Sequence, residues 1–159
     1  MISYKDSIFA AKGEDGLNKA GYLLDTDVLI AFLRGKNVVL KQQIGAWIQQ
    51  DIPVYMSIIS LGELYLGAFK SQNPPKNLSL VNLLKEQVDI LTLTENVVLL
   101  YGEIEAVLEK SGLVIGDFDV LIASTAIAHG LVLVSGNARH FERITTLFGQ
   151  LDFEKWAIN

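Results

Sequence analysis

The sequence predicts an α/β fold: a three-layer α/β/α sandwich with a central parallel sheet of about five strands. Two observations carry that expectation. Short apolar runs suited to buried strands alternate with stretches whose apolar residues recur at helical spacing, the pattern of strands joined by crossover helices. The chain has 159 residues, half of them apolar, which suffices for one proper core without disulfide or metal staples.

The strands are expected at Tyr22–Leu24, Val54–Ser57, 88–91 and 131–134, with a weaker fifth near 151–153. Between them, Leu61, Leu64, Tyr65, Ala68 and Phe69 follow the i, i+3, i+4, i+7, i+8 spacing of one helix face. Val97, Tyr101, Ile104 and Leu108 do the same for a longer helix, ended by Ser111-Gly112. Residues 120–128 are apolar nearly all round, as a helix buried on several sides would be. Asn73-Pro74-Pro75 is the clearest break. Residues 1–20 carry Lys5, Asp6, Lys12, Glu14, Asp15 and Lys19 with weak periodicity. They are read as a mobile N-terminal extension to a single domain over 21–159.

Composition excludes several classes. The apolar runs at 97–101 and 120–123 fall far short of the ~20 residues that span a bilayer, and the first ten residues, MISYKDSIFA, show no signal-peptide pattern. With no cysteine there is no thiolate nucleophile or zinc–thiolate site, and the cytoplasm is the simplest compartment. A net charge of −5 argues against a protein that coats nucleic acid electrostatically. It is compatible with a nuclease, because metal-binding carboxylates themselves add negative charge.

In a parallel α/β fold, strand C-termini and helix N-termini share one edge of the sheet, where ligands bind. Asp25 ends the first strand, Glu63 is expected in the first turn of the helix after the second, and Asp117 and Asp119 open the apolar helix. Ser135 and Asn137 follow the fourth strand. Each has a plain structural explanation. Asp25-Thr26-Asp27 and Asp117 can cap helices, Ser60-Leu61-Gly62-Glu63 reads as a capping box, and Ser135-Gly136-Asn137 as a turn. Their conjunction points further. Two carboxylates ~4 Å apart repel by roughly 4 kcal/mol at an effective dielectric of 20, so several acids converging on one pocket imply a bound cation. All-oxygen ligands favour Mg²⁺ or Mn²⁺. His129 is assigned to a helix C-terminus and His140 to the region beyond the turn, neither as part of the site.

The segments around these residues resemble a known family. Leu23-Leu24-Asp25-Thr26-Asp27-Val28-Leu29-Ile30 is similar to the opening strand and helix of PIN-domain nucleases, specifically the VapC-type toxins of toxin–antitoxin pairs. The stretches around Ser60-Leu61-Gly62-Glu63-Leu64-Tyr65 and Gly116-Asp117-Phe118-Asp119-Val120 resemble the second and third acidic motifs. Ser135-Gly136-Asn137-Ala138-Arg139-His140-Phe141 resembles the last site segment, and Trp156 also fits. The resemblance implies a PIN-like fold with Asp25, Glu63 and Asp119 as the catalytic, metal-binding triad. The fourth family position, often Asp, is Asn137, which offers a neutral oxygen and so implies one well-held metal and a weaker second. Asp117 and Ser135 stand as secondary ligands, Thr26 and Asp27 as supporting residues.

The chemistry so implied is hydrolysis of RNA phosphodiesters, with Arg34, Lys36, Arg139 and Arg143 placed to neutralise phosphates. A cognate antitoxin and a homodimer are the implied partners. Two rivals stand beside this reading. Asp25-x-Asp27 resembles the nucleophile motif of haloacid-dehalogenase-type phosphatases, although Leu29 and Leu121 depart from that pattern. A PIN-like binding module with a degenerate site is the other, and Asn137 is the feature that favours it.

Overall fold

The computed structural model describes residues 21–159; the extension expected over 1–20 lies outside them. The chain runs β1 (Tyr22–Leu24), α1 (Thr26–Arg34), α2 (Val38–Gln49), β2 (Val54–Ser57), α3 (Ile58–Phe69), α4 (Pro74–Lys85), β3 (Asp89–Leu91), α5 (Glu95–Lys110), α6 (Asp117–His129), β4 (Val132–Ser135), α7 (Ala138–Phe148) and β5 (Asp152–Lys155). The five strands form one parallel sheet in the order β3-β2-β1-β4-β5. The chain winds one way from β1 to β3 and the other way from β4 to β5. The reversal falls between β1 and β4, where such sheets open a crevice at their C-terminal edge.

Alternation along the strands explains why they read as continuous apolar runs. Leu24, Met56 and Val134 face one way and pack with Leu29, Ile44, Leu64 and Leu84 from α1 to α4. Leu23 and Leu133 face the other way, onto Ile104, Ile122, Phe141 and Ile144 from α5 to α7. Both faces are therefore covered, and the sandwich has the three expected layers. A helix buried on several sides is found in α6, whose residues Val120, Ile122, Ala123, Ser124, Thr125 and Ala126 are all buried.

Several local expectations shift. Helix α3 leaves β2 without a loop, and Ser57 is its cap, its hydroxyl accepting the Ser60 amide at 2.9 Å. The Ser60–Glu63 capping box is thus not formed, and Glu63 lies in the second turn rather than the first. Two serines three residues apart offer the same local signal, and only the end of the strand decides between them. The N-cap of α6 is Gly116, not Asp117. Phe69 is 65% exposed. Eight residues on from Leu61 it has turned about 80° away, to the margin of the stripe, which effectively ends at Ala68. The Asn73-Pro74-Pro75 break also starts a helix: Asn73 accepts the Lys76 amide and Pro74 occupies the first helical position.

Candidate active site

The site grows out of the β1–β4 reversal. The Asp25 amide still belongs to the sheet, donating to the Val134 carbonyl at 2.9 Å. Its side chain turns into the crevice and is 5% exposed. One carboxylate oxygen caps α1 by accepting the Thr26 amide at 2.8 Å, and the other accepts the Ser135 hydroxyl at 2.7 Å. Capping and site membership are therefore not alternatives for Asp25.

The turn after β4 supplies the rest of this half. The Gly136 amide donates to Asp27 at 3.0 Å, and the Asn137 amide donates to the Ser135 hydroxyl oxygen at 2.9 Å. Gly136 lies in close quarters, where any larger residue would displace its neighbours. A Cβ there would stand 2.7 Å from the Ile158 side chain and 2.9 Å from the Asp27 carboxylate, inside van der Waals contact.

Glu63 joins from α3, accepting the Thr26 hydroxyl proton. Asp119, in the first turn of α6, meets the His140 ring nitrogen Nδ1 at 2.6 Å from α7, and the Asn137 side-chain amide lies 3.4 Å from that same nitrogen. His140 is a residue that sequence reasoning passed over. Its signal was available, since Asn137 and His140 are three apart at the start of a helix and so share a face. Asp117 goes elsewhere: its carboxylate accepts the Tyr101 hydroxyl of α5 at 3.3 Å.

The pocket is anionic, and the His140 ring beside Asp119 is a contact that would carry positive charge when protonated. Burial pushes the Asp25 carboxyl up to about 7, and the charges of Asp27 and Asp119 add to the rise against the Ser135 and Thr26 hydrogen bonds. Burial also raises Asp27. Among the described residues, no lysine or arginine pairs with these carboxylates. Nor, among the described residues, do three acidic or histidine groups stand close enough together to hold a metal ion as they are placed. The donor set is all oxygen, carboxylates together with the Ser135 hydroxyl, and burial makes its negative charge costly. That chemistry fits a hard divalent cation.

Cations line the approaches. Arg34 and Lys36 share a cavity of about 610 Å³ with Asp27, Asn37 and Ile158. Arg34 also borders a second cavity, of about 470 Å³, with Glu63 and Lys76. Arg139 is exposed in the first turn of α7, with Arg143 half-buried one turn on.

Comparison with known proteins gives the family. The PIN-domain family model matches residues 22–147. Ribonuclease VapC1 of Haemophilus influenzae strain R2866 is 35% identical over 126 residues, 79% of this chain and 93% of that protein. The tRNA(fMet)-specific endonuclease VapC of Shigella flexneri is 32% identical, covering 86% of this chain and 98% of that one. Among solved structures, a chain of VapBC2 from Rickettsia felis, bound to a DNA fragment from their promoter, superposes with a TM-score of 0.78. It is 29% identical, over 86% of this chain and 98% of that chain.

Proposed function

The chain belongs to the PIN-domain family, and from that premise we propose that it is a metal-dependent endoribonuclease of the VapC type, the toxin of a toxin–antitoxin pair. The observation that carries the reading is the buried Asp25 at the β1–β4 reversal, tied to Ser135 and pressed by the charges of Asp27 and Asp119. The phosphatase alternative is set aside, because the family match spans the entire set of acidic motifs.

Asp25, Glu63 and Asp119 would hold Mg²⁺ or Mn²⁺, with the side-chain oxygen of Asn137 as a neutral fourth ligand. Such a cation supplies charge neutralisation at the scissile phosphate and acidifies an attacking water. The chain's own residues do the rest. Thr26 orients Glu63, and His140 orients Asp119. Ser135 fixes the Asp25 carboxylate and the Gly136 amide fixes Asp27, so the acids are set before substrate arrives. Arg34, Lys36, Arg139 and Arg143 neutralise flanking phosphates of the RNA. Asn137 in place of an acid removes one ligand charge, so one cation is held well and a second weakly.

The name VapBC on the similar structure supports an antitoxin partner for this chain. A homodimer belongs to the same reading, and exposed Phe69 and Leu66 on α3 offer apolar surface for association. Cytoplasmic placement accords with the absence of cysteine from the sequence. No helix among the described residues is long and apolar enough to cross a membrane.

The test is cleavage of an RNA substrate by the full chain with and without Mg²⁺ or Mn²⁺. An Asp25→Asn/Asp119→Asn double variant is expected to lose the metal-dependent activity. Undiminished cleavage by that variant would falsify the assignment, whereas an inert wild type that binds no metal would favour the degenerate module.

A further inference from the structure

Residues 156–159 leave β5 and cross back over the turn that follows β4. The Trp156 amide donates to the Ser135 carbonyl at 3.0 Å, extending the β4–β5 pairing past the last ladder residue. The Trp156 ring lies against Trp47 of α2, centroids 5.0 Å apart. The Asn37 side-chain amide, at the N-cap of α2, donates to the Ala157 carbonyl at 3.0 Å. Three anchors thus fix the segment, and its next residue, Ile158, comes down on Gly136.

The closeness of that last contact is the telling observation. A single added carbon on Gly136 would meet Ile158 Cδ1 at 2.7 Å, Ile158 Cγ1 at 2.8 Å and the Asp27 carboxylate at 2.9 Å. The Ile158 side chain and the Asp27 carboxylate therefore both close on Gly136, within reach of the same added carbon. The turn at 135–137 donates the Gly136 amide to Asp27 and the Ser135 hydroxyl to Asp25. Ile158 also walls the cavity that holds Arg34 and Lys36.

We propose that residues 156–159 form a positioning strap for the acidic site, with Ile158 as the residue that packs on the Gly136 turn beside Asp27. Ile158 touches no reacting group itself. It acts through the turn, by filling the space beside Gly136 into which the peptide would otherwise shift, carrying Ser135 off Asp25. The strap also sets the width of the groove between Asp27 and the Arg34–Lys36 cations. The inference rests on the reading of Asp25 and its neighbours as a divalent-cation site.

Two measurements on the full chain test it. Amide hydrogen exchange at Gly136 is followed in the metal-free protein, and Mn²⁺ binding is followed by calorimetry, for wild type, Ile158→Ala and Ile158→Val. In Ile158→Ala, Gly136 exchange is expected to speed up and Mn²⁺ affinity to fall about tenfold, as when support behind a ligand is removed. Ile158→Val should keep both. A variant at another anchor, Asn37→Ser, keeps a neutral side-chain oxygen able to cap α2 and loses the amide donor to Ala157, so it should move both readouts in the same direction. Unchanged Gly136 exchange in Ile158→Ala overturns the strap. Faster exchange with unaltered Mn²⁺ affinity overturns its positioning role and leaves a packing contact. If the wild type takes up no Mn²⁺, the cation reading fails, and Gly136 exchange alone decides whether the strap holds the turn.

Discussion

Replacing Asp25 with Asn is expected to stabilise the metal-free protein, by an amount that grows with pH. The carboxyl is 5% exposed, and its proton is held up to about 7 against an ordinary 3.8, first by burial and then by the charges of Asp27 and Asp119. Below about pH 4 the folded and unfolded chains both carry the proton, and the group contributes no difference. Between about 4 and 7 the unfolded chain releases it while the folded chain keeps it, so stability falls as pH rises. Above about 7 both are ionised and the full penalty stands, at most about 4 kcal/mol. Asn has no proton to lose, so the variant escapes that decline. It sets an amide against the Ser135 hydroxyl, which costs about 1 kcal/mol, and the net gain at pH 8 should be roughly 2–3 kcal/mol. Urea unfolding with a chelator present, at steps from pH 4 to pH 8, measures it. The gap between variant and wild type should open across that range. Adding Mn²⁺ at about a hundred times its dissociation constant should then raise the wild type by about 2.7 kcal/mol and leave the variant nearly unmoved. A stability difference that stays flat from pH 4 to pH 8 would refute the account of a buried, uncompensated carboxylate.

Two further outcomes follow from named contacts. Thr26→Val removes the hydroxyl that orients Glu63 at nearly constant volume, so RNA cleavage should drop about tenfold with the melting temperature little changed; a rate equal to wild type would show that Glu63 needs no such support. Phe141→Ala empties a fully buried position beside Phe153, and the urea midpoint should shift by the equivalent of about 3–5 kcal/mol, a shift under about 1 kcal/mol being inconsistent with the core described.

Much of the site was legible in the sequence because local pattern and topology act together. Parallel strands joined by helices send every strand C-terminus to the same edge, so Asp25, Glu63, Asp119 and Ser135 could be assigned to one edge from their places in the pattern. What escaped depended on distinctions the local pattern does not hold. Ser57 and Ser60 are equivalent as caps until the strand end is known. Asp117 and Asp119 lie two apart and so on different faces of α6, and only the position of α5 turned Asp117 towards Tyr101. His140 was set aside as lying just beyond the turn; Asn137 on its face was a local hint, but the acid it meets is remote. Its partner Asp119 lies 21 residues back, on another helix.

The sequence by itself determined the alternating elements, the two apolar faces of the strands and the acids at the head of successive units, since periods of 2 and 3.6 and the chemistry of helix starts are local properties. Tertiary structure alone decided the strand order β3-β2-β1-β4-β5 and everything that order brings together. It joined Ser135 to Asp25 across 110 residues, laid Ile158 on Gly136, and took the Asp25 carboxylate out of water. The physical reason is that burial and repulsion between acids depend on distances through space. The sequence could nominate Asp25 as a ligand, but only the folded crevice makes its charge costly enough to call for a cation.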